Sequence, residues 1–360
     1  MVPVKVGVSE ASQACCFEVG RADLGATRVT KSGLGPPRPG EVLFEVERFG
    51  FSANNVTYAL LGEALRYWDL FPAEPGWGRI PVWGYLRVLA SAVPELPAGR
   101  RAFGLCPMAS HVLLCPQRAG RATFTEGSPY RAGLSSVYNV YAWAAPDRRG
   151  GDDALVVLRP VFWLSFILDD YLAPRVDPDS RVIVTSASSK AAVGLAHLLT
   201  RRGVPVTGLT SARRVAWAEG LSVYDRVLGY DQVGALPAGP ATLVDIAGGA
   251  ALRAEIGRYL GRPGGVVIAG GTHGETGPMA AGSFSAPQRI RDRAREWGWP
   301  VLEQRYQAAL EDFAAGARAW LQIRRHHGLD GAARVYREVL TDASPPAVGH
   351  VVEMTLSRPG

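Results

Sequence analysis

The sequence predicts an α/β protein in which a β-rich region precedes a doubly wound parallel sheet. Three observations support this prediction. Short strand-like runs separated by Gly/Pro turns fill residues 1–150. Strand-like and helical stretches then alternate over residues 151–300. Within that part, residues 181–214 read as strand, small-residue turn, helix and strand, which is the order of a βαβ unit.

Composition narrows the class of protein. The chain has 360 residues, of which 47% are hydrophobic and 20% charged, as expected for a globular protein with two domains. The net charge is +6, but the arginines are interspersed with acids, which is typical of solvated helix faces and argues against nucleic-acid binding. The four cysteines form no CxxC pair and no Cys/His cluster, so neither zinc nor disulfides are expected.

No membrane or export segment is expected. The N-terminus lacks an apolar signal core. The most apolar run, residues 154–168, is interrupted by Arg159 and Pro160 and is too short to span a bilayer. The sequence therefore predicts a cytoplasmic protein.

The first 150 residues are predicted to form a small barrel-like β domain. Strands are expected at 41–50, 80–88, 101–105 and 111–115, and a short helix that Ser52 or Asn54 caps and Gly62 ends. Residues 67–77 form an aromatic loop. Two interpretations of this loop stay open, because its rings could fill the core or line a substrate pocket.

After residue 150 the pattern alternates. Pro160 is expected to begin a helix that runs to about residue 171. Strands are predicted at 223–228, 243–246 and 265–271, and helices at 250–260, 287–297, 304–321 and 332–340. A last strand at 349–354 is expected to return to the first domain. His326 and His327 are expected at the surface of a basic helix.

The turn in residues 185–192 is the first candidate site. A strand at 182–184 precedes it and a helix at 191–202 follows, so that the helix N-terminus could meet a pyrophosphate. Ser186, Ser188 and Ser189 occupy a turn in which glycines are usual, and Lys190 adds a positive charge at the helix start. An unliganded βαβ unit and a plainly solvated lysine both stay open as alternatives.

The residues that follow the second strand of this βαβ unit, at 204–209, predict which dinucleotide binds. NAD-binding units commonly carry an acid there to hold the ribose 2′-OH. This chain instead has Ser211, Arg213 and Arg214, and guanidinium groups suit a 2′-phosphate. NADP(H) is therefore the expected cofactor, with the start of a solvated helix as the alternative interpretation of the two arginines.

Motifs along most of the chain resemble those of the medium-chain dehydrogenase/reductase superfamily, in its zinc-free quinone/enoyl reductase branch. They are PGEV at 39–42 with Gly50, GRRAFG at 99–104, residues 182–194 and GHVV at 349–352. More narrowly, NNVTY at 54–58, PVWG at 81–84 and SASSK at 186–190 resemble an uncharacterised offshoot described only as a domain of unknown function.

This resemblance implies a fold, and the departures from it argue against zinc. It implies a GroES-like β-barrel domain over residues 1–150 and 301–360, and a Rossmann-type dinucleotide-binding domain over 151–300. The zinc branch has Cys after Gly50 and Gly-His-Glu near Gly84. This chain has Phe51-Ser52 and Trp83-Gly84-Tyr85 at those places, so no zinc is expected.

Catalytic candidates come from both halves of the chain. Tyr58 is the candidate proton donor because its segment faces the cleft in the resembled fold, and Asn54 and Asn55 could orient substrate or act as helix caps. Further cofactor-binding candidates lie beyond a later strand: Gly270, Thr272 and His273.

The expected activity is that of an NADPH-dependent, zinc-independent reductase of an activated alkene, quinone or carbonyl in a small metabolite. The resembled fold also suggests a homodimer. A non-redox enzyme, such as a lyase or isomerase, or a sensor without catalysis stays open.

Overall fold

The computed structural model describes residues 13–146, 153–177, 180–246, 249–260, 265–269 and 284–354. The chain divides into two compact units. One unit comprises Met1–Val157 together with Gln322–Gly360, and the other comprises Leu158–Leu321. None of the helices in the described part is both long and apolar enough to cross a membrane.

The first unit is rich in antiparallel sheet. Its strands are β1 Gln13–Gly20, β2 Thr27–Gly33, β3 Val42–Phe51, β4 Trp77–Gly78, β5 Pro81–Ser91, β6 Arg101–Pro107, β7 His111–Leu114, β8 Pro116–Gln117, β9 Thr123–Glu126, β10 Val140–Ala144, β16 Gln322–His327 and β17 Val348–Glu353. One sheet has the order β16-β17-β3-β5-β6-β10-β9-β8, with β7 paired to β3, and a smaller sheet has the order β2-β1-β4.

In the described residues, two α-helices belong wholly to this unit, α1 Ala53–Leu60 and α8 Gly328–Leu340. Helix α8 packs Ala332, Val335 and Tyr336 into the main core of the unit. The Tyr336 hydroxyl donates to the carbonyl oxygen of Leu24 at 2.7 Å. The C-terminal return to the β-rich unit therefore supplies part of its core.

The aromatic loop contributes a core side chain. Trp68 is only 2% exposed. A Cβ at Gly62 would lie 2.1 Å from its Nε1, and one at Gly78 would lie 2.5 Å from its ring. Only glycine leaves room for the indole at these two places, so Trp68 fills the core.

Helix α2 spans Asp153–Leu172, and the prediction that Pro160 begins it is wrong. The helix begins at Asp153, whose buried carboxylate accepts from Arg48 NH1 and Arg325 Nε, each at 2.8 Å. Proline at 160 cannot donate to the carbonyl oxygen of Val156, four residues earlier. That carbonyl lies against Gly50, where a Cβ would approach it to 2.5 Å. The ion pairs at Asp153 fix the start of the helix.

The second unit is built on a five-stranded parallel sheet. Its strands are β11 Arg181–Val184, β12 Val206–Thr210, β13 Arg226–Gly229, β14 Ala241–Asp245 and β15 Gly265–Ile268, in the order β13-β12-β11-β14-β15. Its helices are α3 Lys190–Arg201, α4 Val215–Glu219, α5 Gly249–Leu260, α6 Ala286–Trp297 and α7 Trp299–Ala317. The strand order reverses between β11 and β14, and open α/β sheets bind ligands at the carboxyl end of such a switch point.

A close helix contact anchors α3. A Cβ on Gly194 would lie 2.7 Å from the Ser165 Oγ and 2.9 Å from the Phe162 ring, so glycine lets α3 approach α2. The Ser165 hydroxyl also donates to the carbonyl oxygen of Ala191 at 2.7 Å. Helix α3 confirms the helix predicted over 191–202. Its N-terminal turn is held in place by the contacts with α2.

The expectation that His326 and His327 lie on a basic helix is wrong, because they end β16. His326 Nε2 shares a hydrogen bond of 2.9 Å with Nδ1 of the buried His350. Parallel pairing of β16 with β17 supplies the backbone hydrogen bonds that a helix would otherwise provide.

Candidate functional site

The turn between β11 and α3 has a defined backbone. Ser186 has φ 54°, in the left-handed region where glycine is preferred. Ser189 caps α3, and its Oγ accepts from the Ala192 N–H at 3.2 Å. Ser188 is buried, and its Oγ accepts from the Thr210 hydroxyl on β12 at 3.0 Å. The serines therefore build the turn with their own hydroxyls.

Two tyrosines that the sequence reasoning missed hold this turn. The Ser186 N–H donates to the Tyr230 hydroxyl at 3.0 Å, and the Tyr224 hydroxyl donates to the Ala187 carbonyl oxygen at 2.8 Å. Both tyrosines lie beyond β12 in the chain, so no local spacing pointed to them. Because the Tyr230 oxygen accepts, its own hydroxyl hydrogen can still be donated.

Lys190 is half-buried at the start of α3. Desolvation, and to a smaller extent the nearby charge of Arg214, together lower its pKa to about 8. The structure thus brings together Lys190 and Arg214, two predicted site residues that are separated along the chain. Parallel pairing of β11 with β12 is the cause, because both residues follow the carboxyl ends of adjacent strands.

Ser211, Arg213 and Arg214 follow β12, as predicted from the sequence. Arg213 is exposed and Arg214 is half-buried, and both lie in a short 3-10 turn, Ala212–Arg214, that leads into α4. The Ser211 Oγ is buried and, within the described residues, has no hydrogen-bond partner. A buried hydroxyl without a partner is costly unless a ligand or water satisfies it.

The end of β14 carries a second polar group that the sequence reasoning missed. Asp245 is buried, and its carboxylate accepts from the Thr185 hydroxyl at 2.7 Å and from Arg253 NH1 at 2.6 Å. The Ile246 N–H in turn donates to the Thr185 hydroxyl at 3.0 Å. An acid at the carboxyl end of the otherwise largely apolar β14 was the signal that could have found it. Asp245 joins the ends of β11 and β14.

Three predicted cofactor-binding residues, Gly270, Thr272 and His273, lie outside the described residues.

In the β-rich unit, Asn55 has a structural position. It is 4% exposed. Its Oδ1 accepts from the Ser52 N–H at 2.9 Å, and its Nδ2 donates to the Pro81 carbonyl oxygen at 3.1 Å. Asn55 thus closes the first turn of α1 and connects this helix to β5. Both ends of its side-chain amide are used in these bonds, so the amide does not serve to orient a substrate.

Asn54 and Tyr58 are half-buried on the same helix. Trp83 Nε1, on β5, donates to the Tyr58 hydroxyl at 3.4 Å. Burial raises the pKa of Tyr58, while hydrogen bonds with Trp83 and Asn54 oppose that shift. Tyr58 is therefore a neutral phenol whose oxygen already accepts from its neighbours.

The described residues contain no group of three or more His, Cys, Asp or Glu side chains that could hold a metal ion.

Comparison with solved structures identifies the fold. The chain matches CurA of Vibrio vulnificus in complex with NADPH, with a TM-score of 0.62, 13% identity, and coverage of 95% of this chain and 99% of that chain. A putative NADPH:quinone reductase from Bacillus thuringiensis matches with a TM-score of 0.59, 13% identity, and coverage of 96% and 100%. The quinone oxidoreductase of Coxiella burnetii matches with a TM-score of 0.53, 14% identity, and coverage of 96% and 100%.

The predicted resemblance to quinone reductases is confirmed at the level of the fold. A search of curated proteins by sequence finds no match. One family model, described as "Protein of unknown function (DUF2855)", matches residues 49–344, which confirms the predicted offshoot. The chain belongs to the DUF2855 family.

Proposed function

We propose that this protein is an NADPH-dependent reductase that acts, without zinc, on an activated alkene, quinone or carbonyl of a small metabolite. The observation that carries the proposal is the pair of cations Lys190 and Arg214, together with the buried hydroxyl of Ser211, which has no hydrogen-bond partner among the residues that the structure describes. Two like charges near each other on a half-buried surface favour an anion between them. They lie at the carboxyl edge of a parallel sheet, where such folds bind ligands.

The side chains at this edge fit the phosphates of NADP(H). The N-terminus of α3 would hold the pyrophosphate. The Ser189 hydroxyl accepts from the Ala192 N–H and keeps its hydrogen for a phosphate oxygen, and Lys190 adds a charge. Ser211, Arg213 and Arg214 would hold the 2′-phosphate, because no acid at the end of β12 repels it.

When bound, NADPH supplies a hydride, and the chain has to supply a proton. Tyr58 is the candidate donor, through its hydroxyl hydrogen. Trp83 and Asn54 hydrogen-bond its oxygen and would stabilise the phenolate that remains after donation. Zinc is not needed for this chemistry, and Phe51, Ser52 and Tyr85 offer no thiolate or imidazole at the zinc positions.

The similarity in fold to solved structures supports the same proposal, since CurA of Vibrio vulnificus, which has a similar fold, binds NADPH. The β-rich unit would correspond to a GroES-like domain, and the parallel-sheet unit to a Rossmann-type domain. The homodimer and the cytoplasmic location stay predictions.

Titration of the purified protein with NADPH and with NADH tests the proposal, with nicotinamide fluorescence as the readout. Wild type should bind NADPH the more tightly. Replacing both Arg213 and Arg214 with alanine should weaken NADPH binding by about 2–3 kcal/mol, as loss of charge-assisted hydrogen bonds does, and leave NADH nearly unchanged. Arg226→Ala is the matched control, because this exposed arginine begins β13 at the opposite edge of the sheet.

Equal losses for the two dinucleotides would rule out the role of the arginines at the 2′-phosphate. If wild type binds neither dinucleotide, the reductase proposal fails. The serine-built turn, in which Tyr230 occupies the Ser186 N–H, would then favour a non-redox enzyme such as a lyase or isomerase.

A further inference from the structure

Three tyrosine side chains from separate segments meet in the β-rich unit. Tyr58 lies on α1, Tyr67 in the 3-10 turn Tyr67–Leu70, and Tyr138 in the 3-10 turn Ser136–Asn139. The Tyr58 and Tyr67 ring centroids are 4.8 Å apart, those of Tyr67 and Tyr138 5.6 Å, and those of Tyr58 and Tyr138 6.3 Å. All three pairs meet edge to face. We call these three residues the tyrosine cluster.

The hydroxyl groups of the tyrosine cluster are also close together. The Tyr67 and Tyr138 oxygens are 3.1 Å apart, which is a hydrogen bond that either hydroxyl could donate. When Tyr138 donates this bond, the hydroxyl hydrogen of Tyr67 is directed away from the pair. The electrostatic influence of Tyr58 reaches Tyr67 as well. Three phenol oxygens thus share one small region.

The tyrosine cluster differs from the core aromatics beside it. Trp68 and Leu70, in the same turn as Tyr67, are 2% and 1% exposed. By contrast, Tyr58, Tyr67 and Tyr138 are all half-buried. Their hydroxyls are partly withdrawn from water, because desolvation raises the pKa of Tyr67 to about 12. The side chains nevertheless keep some exposed surface. The aromatic loop therefore contains a core side chain at Trp68 and a half-buried ring at Tyr67.

We propose that the Tyr67–Tyr138 hydroxyl pair, beside Tyr58, binds the oxygen atom of a planar conjugated carbonyl as that oxygen becomes anionic. This inference rests on the proposed reductase function and names the part of the substrate that the β-rich unit recognises. Neutral phenols suit this task because they donate hydrogen bonds to a developing oxyanion without holding a permanent counter-charge. Aromatic rings that meet edge to face, as those of the tyrosine cluster do, also suit contact with a planar ligand.

Binding of 4-nitrophenol to the full chain, without any dinucleotide, tests the inference. Its absorbance distinguishes the neutral phenol from the phenolate, and the phenolate oxygen mimics the anionic oxygen of the substrate. Wild type should bind 4-nitrophenol and shift its ionisation toward the phenolate. Tyr67→Phe and Tyr138→Phe keep the rings, and each should weaken phenolate binding about tenfold, the size expected for one hydrogen bond to a charged group.

Tyr130→Phe is the matched control, because Tyr130 is 42% exposed in a neighbouring 3-10 turn, Pro129–Arg131, and should bind like wild type. A thermal melt of each variant checks that the fold is kept. The proposal is overturned if wild type binds only the neutral phenol or none at all, or if both variants bind the phenolate as tightly as wild type.

Failure here and failure of the reductase proposal are distinguishable. NADPH titration of the same variants reports on the other unit and should match wild type. If NADPH binds while the phenolate does not, only the oxygen-binding inference falls. If the phenolate binds with the predicted losses while NADPH does not, the tyrosine cluster stands as an oxygen-binding site and the reductase proposal falls.

Discussion

The candidate sites of the two units differ in the charge that they present. In the parallel-sheet unit, Lys190 at the start of α3 and Arg214 after β12 are cations at neutral pH. In the β-rich unit, Tyr58, Tyr67 and Tyr138 are neutral donors with raised pKa or hydrogen-bonded hydroxyls. Fixed phosphate charges are matched by fixed cations, whereas a charge that develops only during reaction is better met by neutral dipoles, which do not bind the ground state too tightly.

Reversing one charge is the strongest way to break the cationic site. Lys190→Glu should weaken NADPH binding by roughly 3 kcal/mol, about 150-fold, because a charge-assisted hydrogen bond is replaced by repulsion. The apo protein should keep its melting temperature, since an acid suits the first turn of a helix. Fluorescence titration and a thermal melt measure the two effects.

Lys31→Glu provides the control for net charge, because Lys31 is exposed on β2 in the other unit. It should leave NADPH affinity unchanged. A similar loss in both variants would mean that long-range charge, and not a phosphate contact, sets the affinity.

The cationic site was readable from the sequence because its residues follow two adjacent strands of one βαβ unit. The pattern of residues 181–214 predicts β11, α3 and β12, and parallel pairing then brings Lys190 to Arg214. The tyrosine cluster could not be read in the same way. Tyr58, Tyr67 and Tyr138 lie on three segments, and nothing local says that these segments meet.

The mistaken elements have a similar cause. Pro160 looks like a helix start, but the ion pairs of Asp153 with Arg48 and Arg325, which are distant in sequence, begin α2 earlier. His326 looks helical until pairing with β17 makes its segment a strand. Long-range partners decide these cases, whereas a local hydrophobic period is enough for α3.

The two asparagines of α1, Asn54 and Asn55, are predicted to differ in how much they stabilise the β-rich unit. Asn55→Ala should lower the free energy of unfolding by about 2 kcal/mol, because it leaves the buried Pro81 carbonyl and the Ser52 N–H without partners. Asn54→Ala, on the half-buried face, should cost less than about 0.5 kcal/mol. Urea denaturation measures both values. Equal costs would contradict the division into a structural and a ligand-facing asparagine.

Titration of Lys190 distinguishes the two phosphate sites of the dinucleotide. The pKa of Lys190 in the free protein is lowered to about 8. A bound phosphate would raise it again, so above pH 8 binding takes up a proton. NADPH affinity should therefore fall only about twofold between pH 7 and 8 and more steeply above pH 8, by at most about tenfold per unit. Fluorescence titrations from pH 7 to 9.5 measure this slope.

Lys190→Arg is the matched variant, because arginine stays charged across this range and its profile should be flat. Comparing NADH with NADPH then shows which phosphate Lys190 contacts. If Lys190 contacts the pyrophosphate, NADH affinity falls with pH as NADPH affinity does. If it contacts the 2′-phosphate with Arg214, only NADPH shows the slope. A wild-type profile as flat as that of Lys190→Arg would remove Lys190 from the phosphate site and leave the arginines to hold it. Phenolate binding to the tyrosine cluster should stay level to pH 9.5, since the pKa of Tyr67 is about 12.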